Sequence, residues 1–163
     1  MIPSRHRSLA SLLLLGALLF AAVAGAQDDK WIRLASDADV IVAGECAAER
    51  SSWDDVAGII VTTIEFQPRR FYKGELARTL TIKTLGGRVG DQSMAASHGA
   101  SLASGEQVLL FLRRSEFGPY FVVAGGDEGK VQIEGLPDDA GGAPTMGTRA
   151  ELNRLLNRGS ATP

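Results

Sequence analysis

The sequence predicts a mainly β domain, a small and strongly twisted barrel of five or six short strands with a short helix flanking each end. Three observations point there. Apolar runs of strand length recur along the chain, several with two-residue alternation. Breaks rich in Gly, Ser and Pro separate them. The chain has 163 residues, of which 45% are hydrophobic and 22% charged. That suffices for one compact core, and closure of a small sheet removes edges that would otherwise be exposed.

The N-terminus reads as an export signal. Arg5, His6 and Arg7 form a basic start, residues 9–23 are almost wholly apolar, and Ala24 and Ala26 place small side chains at −3 and −1 of a cleavage site before Gln27. Residues 1–26 are therefore expected to be removed, leaving no stable membrane span, and the product to be periplasmic or secreted. An uncleaved anchor is the alternative. The apolar stretch is short for a membrane span.

In the remaining chain, residues 30–38 carry Trp31, Leu34, Ala35 and Ala38 at helical spacing. Residues 40–43 form a continuous apolar run, as in a strand buried on both sides. Residues 50–58 read as a polar connection containing Trp53. In the segment 59–66, Ile60, Thr62, Ile64 and Phe66 share one face while Thr63 and Glu65 alternate on the other, and Pro68 marks a bend or an edge. Leu80 and Ile82 face inward in the next strand, 79–84. Gly86, Gly87 and Arg88 open a long Ser-, Ala- and Gly-rich connection that contains His98. Residues 107–112 form a dense strand stopped by Arg113 and Arg114, and 120–124 and 130–134 supply two more. The glycines at 125 and 126 read as a hairpin turn between those two. The barrel domain is thus expected over 27–135, a Pro/Gly/Asp linker over 136–147, a short helix over 148–158 and a frayed tail over 159–163. Thr148 and Glu151 have the spacing of a capping box at the helix start.

Composition narrows function. Seventeen basic against nineteen acidic residues give a net charge of −2, a poor basis for binding nucleic acid. One cysteine and two histidines, one of them in the leader, do not make a structural zinc site, and no cofactor or metal is expected. Cys46 has no partner for an internal bridge; it reads as a small buried hydrophobe, or as a free thiol open to an intermolecular disulfide. A hydrolase would have to draw on His98 with Ser93, Ser97 or Ser101, but this segment lacks the strand-to-helix setting of a nucleophile elbow. No catalytic residue is assigned. Phe71, Tyr72, Phe117 and Tyr120 either form an aromatic platform or fill the core. Arg88 reads as a binding residue or a solvated turn residue. Trp53 reads as an exposed anchor or a lid over the barrel end.

Taken in order, the runs ADVIVAGE (38–45), IIVTTIEF (59–66), YKG (72–74), TIKTLGGRVG (81–90), GEQVLLFL (105–112), VVAGG (122–126) and GKV (129–131) resemble a group of small secreted bacterial proteins. Those proteins are related in fold to the tissue inhibitors of metalloproteinases. The resemblance implies an OB-like barrel of five main strands and raises an exported zinc metalloprotease as a partner. The inhibitors chelate the catalytic zinc through an N-terminal cysteine. Here the expected mature terminus is Gln27 and Cys46 lies far from it, so that mechanism does not carry over. The expectation is an exported, noncatalytic binding module with Trp53, Gly86, Gly87, Arg88 and His98 as candidate binding residues. A small hydrolase built around His98 and a small-ligand-binding envelope protein are the alternatives.

Overall fold

The computed structural model describes residues 29–95, 99–135 and 143–159. The expected signal with Ala24, Ala26 and Gln27, the tail from 160, and His98 lie outside them. Residues 29–37 form a helix, α1; one compact unit ends at Ser36, in the last turn of that helix, and the second begins at Asp37. Among the described residues no helix is long and apolar enough to cross a membrane.

The second unit is a closed five-stranded, OB-like barrel. Its strands are β1 (Val40–Asp54), β2 (Ile59–Lys73), β3 (Leu80–Leu85), β6 (Gln107–Arg114) and β7 (Phe121–Val123). They are ordered β1-β2-β3-β7-β6, and β6 returns to β1 to close the ring. Every pairing in the ring is antiparallel except β3 with β7, which is parallel and rests on one pair, Ile82 with Phe121. A small hairpin, β4 (Gly87–Val89) with β5 (Gln92–Met94), follows β3. β8 (Lys130–Gln132) adds to β6, and β9 (Thr145–Met146), within the expected linker, lies parallel to β2. The terminal helix α2 (Arg149–Gly159) has its capping box: the Glu151 N–H donates to Thr148 Oγ1 at 3.3 Å, and the Thr148 N–H donates to Glu151 Oε2 at 2.7 Å.

Alternation builds the interior. Val40, Val42 and Cys46 from β1 meet Ile64, Phe66 and Phe71 from β2, Leu80 and Ile82 from β3, and Val108, Leu110 and Leu112 from β6. Burying a side chain of this size contributes about 1.5–3 kcal/mol. Phe66 and Phe71 have opposite parity yet both are fully buried. The reason is a bulge: Ala43 pairs with Arg70 and Gly44 with Pro68, so Arg69 has no partner and the strand turns over by one residue. Pro68 therefore sits at a bend, as its missing N–H requires. The first half of β1 and residues 108–112 of β6 are buried on both faces, since Ile41, Ala43, Leu109 and Phe111 are also sequestered.

Two expectations need correction. The polar connection expected over 50–58 is strand as far as Asp54, and the turn occupies only 55–58. There Asp54 Oδ1 accepts the N–H groups of Val56 and Ala57, each at 3.1 Å. The glycines at 125 and 126 are not a hairpin turn. They adopt φ of 70° and 61° and open a short 3-10 turn, Gly126–Gly129, after which the chain continues along the same strand, so β7 and β8 both pair with β6.

Candidate functional site

One end of the barrel opens into a cleft of about 660 Å³. Its floor follows from strand register. Ser51 lies opposite Thr62, and Thr62 opposite Thr84, so three hydroxyl residues from three neighbouring strands form a row. The row shares the inward face with Ile60, Ile64 and Ile82, one step beyond the apolar interior.

These hydroxyls hold the loop after β3. The Thr62 hydroxyl donates to the Gly86 carbonyl at 2.7 Å. That uses its single proton, so in the 2.8 Å contact with Ser51 it is the Ser51 hydroxyl that donates. Ser51 Oγ in turn accepts the Arg88 N–H at 3.3 Å. The Gly86 N–H donates to the Ile60 carbonyl at 2.7 Å. The loop approaches so closely that a Cβ on Gly87 would overlap Thr62 Oγ1 and Ser51 Oγ, and φ at Gly87 is +130°. Thr84 Oγ1 ends the row; it is buried and has no hydrogen-bond partner among the described residues.

Gly86, Gly87 and Arg88 therefore line one cleft together, with the Arg88 side chain exposed at its edge. Residues 99–102 line the same cleft. Here Ser101 donates its N–H to Asp127 Oδ1 at 3.2 Å. Lys130 Nζ donates to the Ser101 carbonyl at 2.6 Å and to Glu106 Oε1 at 3.0 Å, which ties this segment to β8. Trp53 does not line this cleft. It stands two residues beyond Ser51 on the same face of β1, opposite Ile60, and is 42% exposed. Cys46 is in the barrel interior, where burial, then the nearby Glu106 carboxylate, push its thiol up to about 12. Among the described residues no group of three or more His, Cys, Asp and Glu side chains could hold a metal ion.

A second pocket, of about 340 Å³, lies where β3 meets β7. Val61, Leu85, Tyr120, Val122 and Phe117 supply apolar lining, and Lys83 and Arg113 supply positive charge. The sequence suggests Phe117 and Tyr120 as part of an aromatic platform, but does not join them to Lys83 or Arg113. Arg113 and Arg114 appear in sequence as a strand stop. Of the four aromatics considered for a platform, Phe71 is fully buried in the core, whereas Phe117 is 90% exposed and shares this pocket with Tyr120.

Comparison with models of protein families, with curated proteins and with solved structures finds no match.

Proposed function

We propose that this protein is an exported, noncatalytic binding module that engages a protein partner at the open end of its barrel. The observation that carries the reading is the hydroxyl chain through Ser51 and Thr62. It fixes the main chain of Gly86–Arg88 before any partner arrives, so little ordering entropy remains to be lost on binding. Arg88 spends its backbone N–H on Ser51 and leaves its guanidinium exposed, a five-donor fork suited to a carboxylate or to backbone carbonyls. Thr84 Oγ1 is a buried oxygen with bonding capacity to spare on the cleft floor.

An exported zinc metalloprotease is the partner class proposed, on the resemblance to small secreted proteins of the metalloproteinase-inhibitor fold. Binding would proceed without zinc chelation by a terminal cysteine. The test is affinity capture from envelope and culture fluid with the chain from Gln27 onward as bait. It is run with wild type and Arg88→Ala, with and without a zinc chelator. Recovery of a metalloprotease by wild type and its loss with Arg88→Ala, followed by altered protease activity on adding the module, is the expected result. Equal recovery by both baits, or no specific protein, overturns the reading.

A further inference from the structure

The pocket at the β3–β7 junction is separate in chemistry from the barrel mouth. Its walls come from the outward faces of the strands. Val61 and Leu85 are directly paired across β2 and β3, and Lys83 lies two residues before Leu85 on the same side. On the other flank Arg113 is paired with Val122, two residues after Tyr120. Two cations thus stand on either side of an apolar strip, with Phe117 on the β6–β7 turn beside it.

The apolar components are unusually open to water. Leu85 is 56% exposed and Phe117 is 90% exposed. Phe117 is nevertheless presented by a defined turn. Its N–H donates to Ser115 Oγ at 3.1 Å, and the Ser115 N–H donates to the Tyr120 carbonyl at 2.9 Å. Lys83 is held in place as well, its ammonium 4.6 Å from the centre of the Tyr120 ring. A ring contact positions a cation without neutralising it. Neither Lys83 nor Arg113 makes an ion pair among the described residues. Two acids also line the pocket, but Asp54 Oδ1 is engaged by the two N–H groups of its own turn, and Glu116 lies on the exposed turn beside Phe117. Arg114 also lines the pocket, so three cations stand against two acids, and on a protein of net negative charge this is a local positive site with an apolar floor.

We infer that this pocket binds a small amphipathic carboxylate, an apolar or aromatic body carrying one anionic head. The body lies on the strip between Leu85 and Val122 under Phe117, and the carboxylate meets Lys83 and Arg113. The volume is within the range of small-molecule sites, which combine apolar walls with a few placed polar groups. A neutral ligand of the same shape would gain the walls and leave both cations unanswered.

The test is calorimetric titration of the purified protein with 4-phenylbutyrate, alongside 4-phenylbutanol and 4-phenylbutylamine. Saturable binding of the acid is expected, with the alcohol about tenfold weaker, a difference of about 1.4 kcal/mol. The amine is expected not to bind. Arg113→Gln and Lys83→Gln should each weaken the acid about fivefold, with little effect on the alcohol. Phe117→Ala should weaken both, and because its ring is exposed the variant should melt as wild type does. Arg88→Ala, in the other cleft, should change nothing, so failure here is distinct from failure of the proposed partner reading. Equal affinity for acid and alcohol, insensitivity to both cation variants, or no saturable binding up to millimolar ligand overturns the inference.

Discussion

Replacing Gly87 with alanine tests the hydroxyl-chain account of the barrel mouth directly. The new Cβ would be placed at a φ of +130° and onto Thr62 Oγ1 and Ser51 Oγ, with Ser51 Cβ 3.0 Å away. Forcing a non-glycine residue into such a backbone region costs about 1–3 kcal/mol. Displacing the hydroxyls sacrifices the bonds from Thr62 to Gly86 and from Arg88 to Ser51, about 1 kcal/mol net for each. The sum is about 3–5 kcal/mol for the loop in its native position. Gly90→Ala is the matched control, because Gly90 also has positive φ, +59°, but a Cβ there meets nothing within 4 Å among the described residues. It should cost about 1–2 kcal/mol from backbone strain alone. Urea denaturation of both variants gives the global difference. Amide exchange at Arg88 reports a loop that detaches while the barrel stays folded. Placing Gly87→Ala in a Ser51→Ala background, where one obstructing oxygen is gone, should recover part of the loss. If Gly87→Ala costs no more than Gly90→Ala and leaves the Arg88 amide as protected as in wild type, the hydroxyls do not grip the loop and the reasoning fails.

Other expectations follow from the interior. Ile64→Ala and Leu110→Ala, both at fully buried positions, should each lower unfolding free energy by about 2–5 kcal/mol, and unchanged melting in both would break the strand assignment. Native Cys46 should resist a thiol reagent at neutral pH and react only on unfolding, because its thiol is buried and held up to about 12. That shift also fixes a pH dependence. Above the ordinary thiol value of 9.0 the unfolded chain loses a proton that the folded chain keeps, so stability is complete below 9.0 and falls as pH rises toward about 12. Unfolding free energies measured across this window should fall more steeply for wild type than for Cys46→Ala; parallel curves would contradict the burial.

Much of the barrel was legible because its strands are buried on at least one face. Ile64 and Phe66 alternate with Thr63, Glu65 and Gln67, and that alternation marks both the strand and its inward side. The far half of β1 was not legible for the same reason. Glu49, Arg50, Ser51 and Ser52 belong to a two-stranded ribbon beyond the core, and polar side chains on both faces carry no periodicity. Gly125 and Gly126 announced a break correctly, but whether the next segment turns back or runs on depends on which strand it pairs with, a non-local choice. At the mouth, Gly86 to Arg88 could be picked out as a glycine-rich loop. Their partners Ser51 and Thr62 could not, because cross-strand register brings them together. The outer pocket was invisible for a stronger reason: Lys83 meets Arg113 and Tyr120 only through the β3–β7 contact that closes the ring on that side.

That closing contact makes the barrel resemble a bound book. The spine is the β1–β6 ladder, with six residue pairs from Val40 with Leu112 to Glu45 with Gln107. The fore-edge is the β3–β7 contact, with its one pair, Ile82 with Phe121. Each cover is locally connected: β1, β2 and β3 follow one another as a meander, and β6 carries β7 and β8. Short-range pairing closes small loops first, so the covers assemble before spine and fore-edge bring distant segments together. Once folded, the molecule parts most readily at the fore-edge, since least hydrogen bonding is lost there. Opening that edge separates Lys83 from Tyr120 and Arg113, so any molecule held between them acts as a clasp on the whole ring.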